Sequence, residues 1–146
     1  MAQPSHYPRM AIALLALIGL FDAAYLALER ITGGTIVCPV GGGCETVQSS
    51  AYATLFGVPV AYIGVAGYAA ILLSALLALN LDRIAGIPLS AVLLALGSIA
   101  LLAGIYFSYL QLAVIGAICF WCAVAALLDL AIWIAAYLNW RAAHPR

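Results

Sequence analysis

Four cysteines are the residues of this chain whose type and spacing could do chemistry. Cys38 and Cys44 bracket a glycine-rich turn in the string CPVGGGC, whereas Cys119 and Cys122 form the string CFWC. Two side chains three residues apart at the start of a helix share a face, close enough for a disulfide bond after small adjustment. In an oxidising compartment, such pairs can form disulfides that persist.

The cysteine spacing alone leaves three interpretations open. Three glycines between Cys38 and Cys44 give the turn wide dihedral choice, which favours a pair that presents a sulfur in two directions. Both pairs could instead be static disulfides that pin an outer loop. A four-cysteine metal site is the third interpretation, although structural zinc clusters usually lie in water-exposed loops and one pair here is expected at membrane depth.

The composition of the chain is that of a membrane protein. Of its 146 residues, 68% are hydrophobic and 7% are charged, against about 45–50% and about 25% in soluble domains. These values exclude a soluble domain and a disordered chain. Lysine is absent and there is no basic patch, so nucleic-acid binding is excluded as well. We therefore predict an all-α integral membrane protein.

Four apolar stretches are long enough to span a bilayer core, which needs about 20 residues of helix. We predict a four-transmembrane-helix bundle with helices over residues 10–28, 60–79, 87–107 and 116–138. The first stretch could be a signal peptide, but its apolar run exceeds the about 7–15 residues of a signal peptide's hydrophobic region, and no clean cleavage site follows it. Rows of small residues indicate close helix packing. These rows are Ala66, Ala70, Ser74 and Ala78; Ala100, Gly104 and Ser108; and Ala131 with Ala135.

The loop after the first stretch has an amphipathic pattern of its own. Val47, Ala51 and Leu55 recur at four-residue spacing, which predicts a short interfacial helix in the first extracytoplasmic loop. Gly57 and Pro59 are expected to end this helix. Such a helix would cover a pocket at membrane depth. Apolar and aromatic surroundings of a CxxC favour a lipid-soluble electron acceptor.

The positions of the five arginines predict the orientation. An even number of helices puts both termini on one side of the membrane. That side then carries four of the arginines, namely Arg9, Arg83, Arg141 and Arg146. Arg30 alone lies on the opposite side. By the positive-inside rule both termini are cytoplasmic, and all four cysteines are extracytoplasmic.

The string CPVGGGCETVQSSAYATLFGVPVAYIG, followed after two transmembrane stretches by CFWC, resembles the vitamin K epoxide reductase family, in particular its prokaryotic members. The resemblance extends from Tyr25 to about Trp133. It combines the loop cysteine pair, Ser50, the string FGVP and the CxxC that opens the fourth helix. It implies a membrane thiol:quinone oxidoreductase that reoxidises a thioredoxin-fold partner for disulfide-bond formation.

The resemblance also implies a role for particular residues. Cys38 and Cys44 would be the shuttle pair, Cys119 would receive electrons from the loop, and Cys122 would face the quinone. The quinone would be of the ubiquinone or menaquinone type, and no metal is implied. Five residues would line the quinone pocket: Val47, Ser50, Tyr52, Ile63 and Phe107.

Departures from the family refine these expectations. Animal members carry an asparagine at the start of the second helix and a tyrosine four residues after the CxxC, where this chain has Val60 and Ala126. A plain quinone is therefore expected rather than vitamin K epoxide. Many bacterial relatives carry a fused thioredoxin-like domain. Here we expect one domain over residues 1–146 without it, in the inner (plasma) membrane, with a separate periplasmic thioredoxin-fold (DsbA-like) partner.

Two other functions compete with this one. Another four-helix family links disulfide formation to quinones, but its CxxC lies in the first outer loop and its spaced pair in the second, the reverse of the order here. A small four-helix membrane transporter with structural disulfides would need an intramembrane charge. Asp22 and Asp129 are candidates for that charge, unless they only make interhelical hydrogen bonds.

Overall fold

The computed structural model describes residues 6–146, and long helices dominate it. The helices are α1 His6–Thr32, α2 Cys44–Gln48, α3 Val60–Ala78, α4 Leu89–Tyr109 and α5 Phe120–Ala143. All of them except α2 are long and apolar enough to cross a membrane. The predicted all-α membrane fold with four spanning helices is confirmed. The first five residues of the predicted domain lie outside the described part of the chain.

The four spanning helices form a bundle with a core of small and branched side chains. α1 packs against α3 and α5, and α4 packs against α5 and α3. Fully buried core residues come from all four helices: Ile12, Ala16, Ala75, Leu93, Ile132 and Ala136. Large apolar side chains such as Leu14, Phe21, Leu73, Leu102 and Leu127 are exposed on the outside. In a multi-pass membrane protein this surface contacts lipid.

α3 packs through a different face from the one that its small residues predicted. Ala66 and Ala70 are exposed, whereas Tyr68, Ile71 and Ala75 are buried. The buried residues follow the spacing of three and four that defines one face of a helix. The prediction from this row is therefore wrong for Ala66 and Ala70, where the larger Tyr68 and Ile71 occupy the interface, whereas Ala78 is fully buried in the core.

Two glycines of α4 lie at its contact with α5. A methyl group added at Gly97 would lie 3.5 Å from Trp133 Cα, and one added at Gly104 would lie 3.5 Å from Ala126 Cα. Gly104 belongs to the predicted small-residue row of this helix. That row therefore contributes to helix packing, as predicted.

The third spanning segment is longer than the predicted residues 87–107. After Tyr109 the chain continues as a π-helix over Leu110–Ile115. It then reverses at Gly116, whose φ of 72° is a left-handed conformation that favours glycine. As a result, α5 begins at Phe120 rather than at the predicted residue 116.

Two short hairpins precede α3 and α4. Their strands are β1 Thr54–Leu55, β2 Val58–Pro59, β3 Arg83–Ile84 and β4 Ile87–Pro88. β1 pairs antiparallel with β2, and β3 pairs antiparallel with β4. Each hairpin leads directly into a spanning helix, so it sets the point at which that helix begins.

The first hairpin corrects the predicted extent of the interfacial helix. α2 ends at Gln48, a 3-10 turn covers Ala51–Ala53, and Leu55 lies in β1. Gly57 has a φ of 80° in the two-residue turn of the hairpin. The expectation that Gly57 and Pro59 end a helix is therefore wrong, because both belong to the hairpin.

Polar contacts distinguish the two ends of the bundle. At one end, which we call the arginine end, Arg9 Nε donates to Asn139 Oδ1 at 3.1 Å, and Arg9 Nη2 lies 3.0 Å from Asp82 Oδ1. At the other, the cysteine end, Arg30 donates to the Gln48 carbonyl at 2.9 Å. Arg9 and Arg30 thus lie at opposite ends of α1, as predicted from the sequence.

Candidate redox site

Cys38 and Cys44 form a disulfide bond at the cysteine end. Their Cα atoms are 5.8 Å apart, within the usual range for a disulfide. Cys44 opens α2 and is fully buried, whereas Cys38 is only half-buried. Of the two sulfurs, that of Cys38 is therefore the more accessible from outside.

Each glycine between these cysteines has a fixed structural role. Gly41 and Gly42 have φ values of 84° and 65°, which residues with a side chain rarely adopt. Gly43 instead packs against the backbone of Ile118, since a Cβ there would lie 2.9 Å from the Ile118 nitrogen. This close approach brings Cys44 next to the segment that leads into the CxxC. The three glycines thus build a defined turn, where the sequence suggested only conformational freedom.

The CxxC lies at the start of α5, as predicted. Cys119 is the residue before the first turn, and its Sγ accepts a hydrogen bond from the backbone nitrogen of Cys122 at 3.3 Å. The Cys119 nitrogen itself donates to Gln111 Oε1 at 2.8 Å. Both cysteines are free thiols, with Cys119 fully buried and Cys122 half-buried.

The surroundings of Cys119 favour its thiolate. A hydrogen bond from the Cys122 thiol is the largest influence, and the backbone of the helix start adds to it, so that the pKa of Cys119 falls to about 6 although burial acts in the opposite direction. Amide groups at a helix N-terminus stabilise a negative sulfur in this way. Cys119 is therefore the more nucleophilic cysteine of the pair and the better leaving group.

The two cysteine pairs meet in one buried cluster. Cys44, Val47 and Cys119 form its centre, and Cys38 and Cys122 pack around it. The sulfur-bearing side chains of the loop and of α5 are therefore neighbours without any rearrangement of the helices.

Aromatic residues hold the loop in place over the CxxC. Trp121, between the two cysteines, donates from Nε1 to the Val37 carbonyl at 2.7 Å. The Val37 nitrogen donates to the Tyr25 hydroxyl at 3.0 Å. The rings of Tyr25 and Trp121 are 5.1 Å apart. Trp121 therefore ties the segment before Cys38 to α1 and α5.

A cavity of about 260 Å³ lies among the four helices and is bordered by α2. All five residues that the resemblance assigned to a quinone pocket line it: Val47, Ser50, Tyr52, Ile63 and Phe107. Cys122 lines it too, and Gln48 Nε2 lies 3.4 Å from the Cys122 sulfur. The cavity thus begins at the second cysteine of the CxxC.

The lining of this cavity fits a quinone head group. It is mostly apolar with a few hydrogen-bonding side chains, the combination that binds flat lipid-soluble molecules. Val60 and Ala126, which stand where animal relatives have asparagine and tyrosine, also line it. Neither side chain can hydrogen-bond a ring oxygen. Among residues 6–146, no set of three or more His, Cys, Asp or Glu side chains is placed for a metal ion.

The two intramembrane acids line the same cavity. The Tyr68 hydroxyl lies 2.8 Å from Asp129 Oδ1 and 3.3 Å from the Ala125 carbonyl oxygen. Asp129 therefore makes the interhelical hydrogen bond that the sequence left open. Asp22 Oδ1, in contrast, has no hydrogen-bond partner in the described part of the chain.

Sequence reasoning did not identify Gln48, Gln111 or Tyr68 as site residues. Gln111 carried a usable signal, because it is the single polar side chain between Leu110 and Ile118. Gln48 and Tyr68 carried none, since an amide in an outer loop and a tyrosine in an apolar helix are ordinary. Their roles follow from the packing of α2 and α3 against α5.

Comparisons with known proteins agree with the cysteine geometry. A family model described as "Vitamin K epoxide reductase family" matches residues 10–137, so the chain belongs to that family. The thiol-disulfide oxidoreductase LTO1 of Arabidopsis thaliana is 46% identical to it over 50 residues. That stretch is 34% of this chain and 13% of the plant protein, so the match spans a small part of the relative's length.

Proposed function

We propose that this member of the vitamin K epoxide reductase family is a membrane thiol–disulfide oxidoreductase that passes electrons from a protein dithiol to a quinone. The observation that carries the proposal is the arrangement of its cysteines. Cys44 and Cys119 lie in one buried cluster, whereas Cys122 lines the apolar cavity. Each redox centre therefore adjoins the next. The activity in the name of the Arabidopsis relative supports the same chemistry.

The relay consists of thiol–disulfide exchanges that conserve electrons. A partner dithiol reduces the Cys38–Cys44 bond and becomes a disulfide itself. The Cys44 thiolate then attacks Cys119 in a Cys119–Cys122 disulfide, and Cys122 leaves; Cys38 next attacks Cys44, and Cys119 leaves. The lowered pKa of Cys119 favours the last step, because thiols of low pKa leave faster. The product has a loop disulfide and two CxxC thiols, the arrangement found in this structure.

The cavity is the proposed quinone site, for a ring of the ubiquinone or menaquinone type. A bound quinone supplies an acceptor for two electrons and two protons. Val47, Ile63 and Phe107 would enclose the ring, while Ser50 and Tyr52 line the same cavity and carry hydroxyl groups. Cys119 and Cys122 become a disulfide when the electrons leave.

The partner is proposed to be a separate periplasmic thioredoxin-fold (DsbA-like) protein that exchanges with Cys38, the more accessible loop cysteine. Residues 1–146 would act as one domain in the inner membrane, with both termini cytoplasmic. The arginine distribution supports this orientation. A reporter fused after Arg146 should be cytoplasmic and one inserted near Gly42 external. The reverse result would exclude the orientation.

Cysteine variants of the full-length protein in quinone-containing liposomes test the order of electron transfer. Cys38→Ala or Cys44→Ala should stop oxidation of a thioredoxin-fold partner but leave some oxidation of dithiothreitol, which reaches the CxxC directly. Cys119→Ala or Cys122→Ala should stop both. Identical behaviour of loop and CxxC variants with every reductant would contradict the relay.

A trapped intermediate tests the contact between the pairs. In the double variant Cys38→Ala/Cys122→Ala, the remaining Cys44 and Cys119 should form a disulfide, detected as one linked peptide that reductant separates. The matched variant Cys44→Ala/Cys122→Ala should link far less, because Cys44 rather than Cys38 is at the centre of the cluster. If neither links, the loop pair is a static disulfide.

A further inference from the structure

Asp22 is a carboxyl group with an incomplete environment. It lies on α1, is only 8% exposed, and lines the cavity that begins at Cys122. Its Oδ1 has no hydrogen-bond partner among residues 6–146. An unpaired carboxyl oxygen is costly at membrane depth, and such groups mark sites that handle protons or ligands. The free oxygen therefore indicates a hydrogen-bonding group on whatever occupies the cavity.

Asp129 differs from Asp22 because its hydrogen bonds suit two protonation states. The Tyr68 hydroxyl lies within hydrogen-bond distance of both Asp129 Oδ1 and the Ala125 carbonyl. When Asp129 is ionised, Tyr68 donates to it. When Asp129 is protonated, it donates to the Tyr68 oxygen, and Tyr68 donates to Ala125. The pair can thus hold or release a proton without leaving a buried group unpaired.

Close helix packing fixes this pair beside the cavity. A side chain at Gly19 of α1 would overlap the Tyr68 ring, and a methyl group at Gly104 of α4 would lie 3.1 Å from Asp129 Oδ2. Cys122 and Asp129 are seven residues apart on α5, about 10 Å along the helix axis. The Cys122 thiol and the two acids therefore border one cavity.

We propose that Asp22 donates a proton to the quinone as it is reduced, and that the Asp129–Tyr68 pair is the proton store beside it. This proposal rests on the proposed function and deepens it, since it assigns the protons that accompany the electrons. Val60 and Ala126 cannot supply a hydrogen bond in this cavity, whereas Asp22 has an oxygen free to make one.

The step balances in atoms, charge and electrons. Before it, Cys119 is a thiolate, Cys122 is a thiol and Asp22 is protonated. Cys119 and Cys122 form a disulfide bond and lose two electrons together with the Cys122 proton. Asp22 loses its proton and becomes a carboxylate. The two electrons and two protons convert a quinone into a quinol, and Asp22 is later reprotonated from the neighbouring store.

The test compares Asp22→Asn with the wild type in liposomes that contain a ubiquinone or menaquinone analogue. Asparagine keeps the size and polarity of the side chain but has no transferable proton. Oxidation of the CxxC thiols by quinone should slow about 100-fold, a typical contribution of general acid catalysis. Exchange of the loop disulfide with dithiothreitol should be unchanged. Asp22→Glu should recover most of the rate, because it retains the acid.

Asp82→Asn is the matched control. This aspartate lies at the arginine end, and its side chain is 72% exposed. Its replacement should change neither quinone reduction nor thiol exchange. A slowing equal to that of Asp22→Asn would show that the rate responds to any lost carboxylate, and would overturn the proposal.

Infrared difference spectra supply a measurement without turnover. Quinone added to the protein with all four cysteines oxidised should shift the carbonyl stretch of a protonated carboxylic acid. This band should be missing in Asp22→Asn and present in Asp82→Asn. If Asp22→Asn does not fold, the wild-type spectrum decides: the absence of a quinone-dependent acid band there overturns the proposal.

The outcomes separate this proposal from the function on which it rests. A wild-type protein that does not reduce quinone at all contradicts the proposed function. A wild-type protein that reduces quinone while Asp22→Asn is equally fast contradicts only the proton donor. In that case the free Asp22 oxygen is paired with ordered water.

Discussion

The two ends of the bundle use their few polar groups in opposite ways. At the arginine end, buried Arg9 donates to Asn139, to Asp82 and to the Ala78 carbonyl, so one cation joins the ends of α1, α3 and α5. At the cysteine end, Gln48 and Gln111 contact the CxxC, and the polar groups there position sulfur atoms. The first end is a structural clamp between helices, whereas the second places reactive groups beside a cavity.

This difference shows how a chain with five basic and five acidic residues divides its polar groups between stability and chemistry. In lipid, helix association gains little from the hydrophobic effect, so a buried hydrogen-bonded cation is a strong tie. Substitutions at the arginine end should therefore lower stability and leave thiol exchange unchanged. Substitutions at the cysteine end should mainly slow electron transfer.

The largest expected effect is that of Arg9→Met. Methionine fills the space but leaves the Asn139 and Ala78 oxygens without this donor. We expect unfolding in detergent to become easier by about 3 kcal/mol, the cost of two unsatisfied buried acceptors. Chemical denaturation followed by circular dichroism measures it. Thiol exchange of the folded fraction should be normal.

Asp82→Asn serves as the control for that measurement, because it removes only the largely exposed partner of Arg9. This substitution should lower the free energy of unfolding by less than about 1 kcal/mol, as for surface ion pairs. An equal loss of stability in both variants would mean that the ion pair, not the buried donor, holds the arginine end together.

Gly43→Ala should have the largest effect on chemistry at the cysteine end. The added methyl group meets the Ile118 backbone, which is not free to move like a side chain. Overpacking of about 2 kcal/mol would displace Cys44 from Cys119 and slow electron transfer between the pairs roughly 30-fold. Stopped-flow oxidation of a partner dithiol measures this rate.

Gly42→Ala is the neighbouring control. It strains a left-handed residue but meets no atom within 4 Å. If both variants slow transfer equally, the turn conformation matters and the contact with Ile118 does not.

A change of pH should have a smaller effect than Gly43→Ala: the thiolate fraction of Cys119 should fall about tenfold between pH 7 and pH 5. With a pKa of about 6, its thiolate is dominant above pH 6 and is lost as the pH falls through that value. Thiolate ultraviolet absorbance, recorded with the loop disulfide intact and the CxxC reduced, measures the midpoint. Cys119→Ser should lack it. A midpoint near 8.5, the value of an ordinary cysteine, would show that neither the Cys122 thiol nor the helix start lowers the pKa of Cys119.

Gln111→Leu should have the smallest effect. The Cys119 nitrogen loses its acceptor, at a cost of about 1 kcal/mol, so quinone-linked turnover should fall roughly fivefold. Leu112→Ala, on the exposed face of the same segment, is the control. Equal losses in the two variants would assign the effect to the π-helix as a whole.

The sequence was most informative where a physical requirement has one solution. Apolar stretches of about 20 residues have to be spanning helices, and all four were predicted. The CxxC at the start of α5 followed from cysteine spacing and the helix boundary. The family resemblance supplied Val47, Ser50, Tyr52, Ile63 and Phe107, which line one cavity. Whether they bind quinone is still a prediction.

The sequence was least informative where one local pattern allows several structures. Val47, Ala51 and Leu55 have the spacing of a helix, yet a two-residue turn at Gly57 pairs Leu55 into a hairpin. Gly43 resembles its two neighbours in sequence, but only the tertiary contact with Ile118 gives it a separate role. The packing face of α3 likewise depends on which partner helix it meets.

The arginine end also bears on how the protein is made. Arg9 and Asn139 are 130 residues apart in the chain, so their hydrogen bond can form only after α5 has been synthesised and has entered the bilayer. The other two partners of Arg9, Ala78 at the end of α3 and Asp82 after it, are synthesised earlier. The contacts of the clamp therefore become possible in two stages, and the second stage joins α1 to α5, which carries the CxxC.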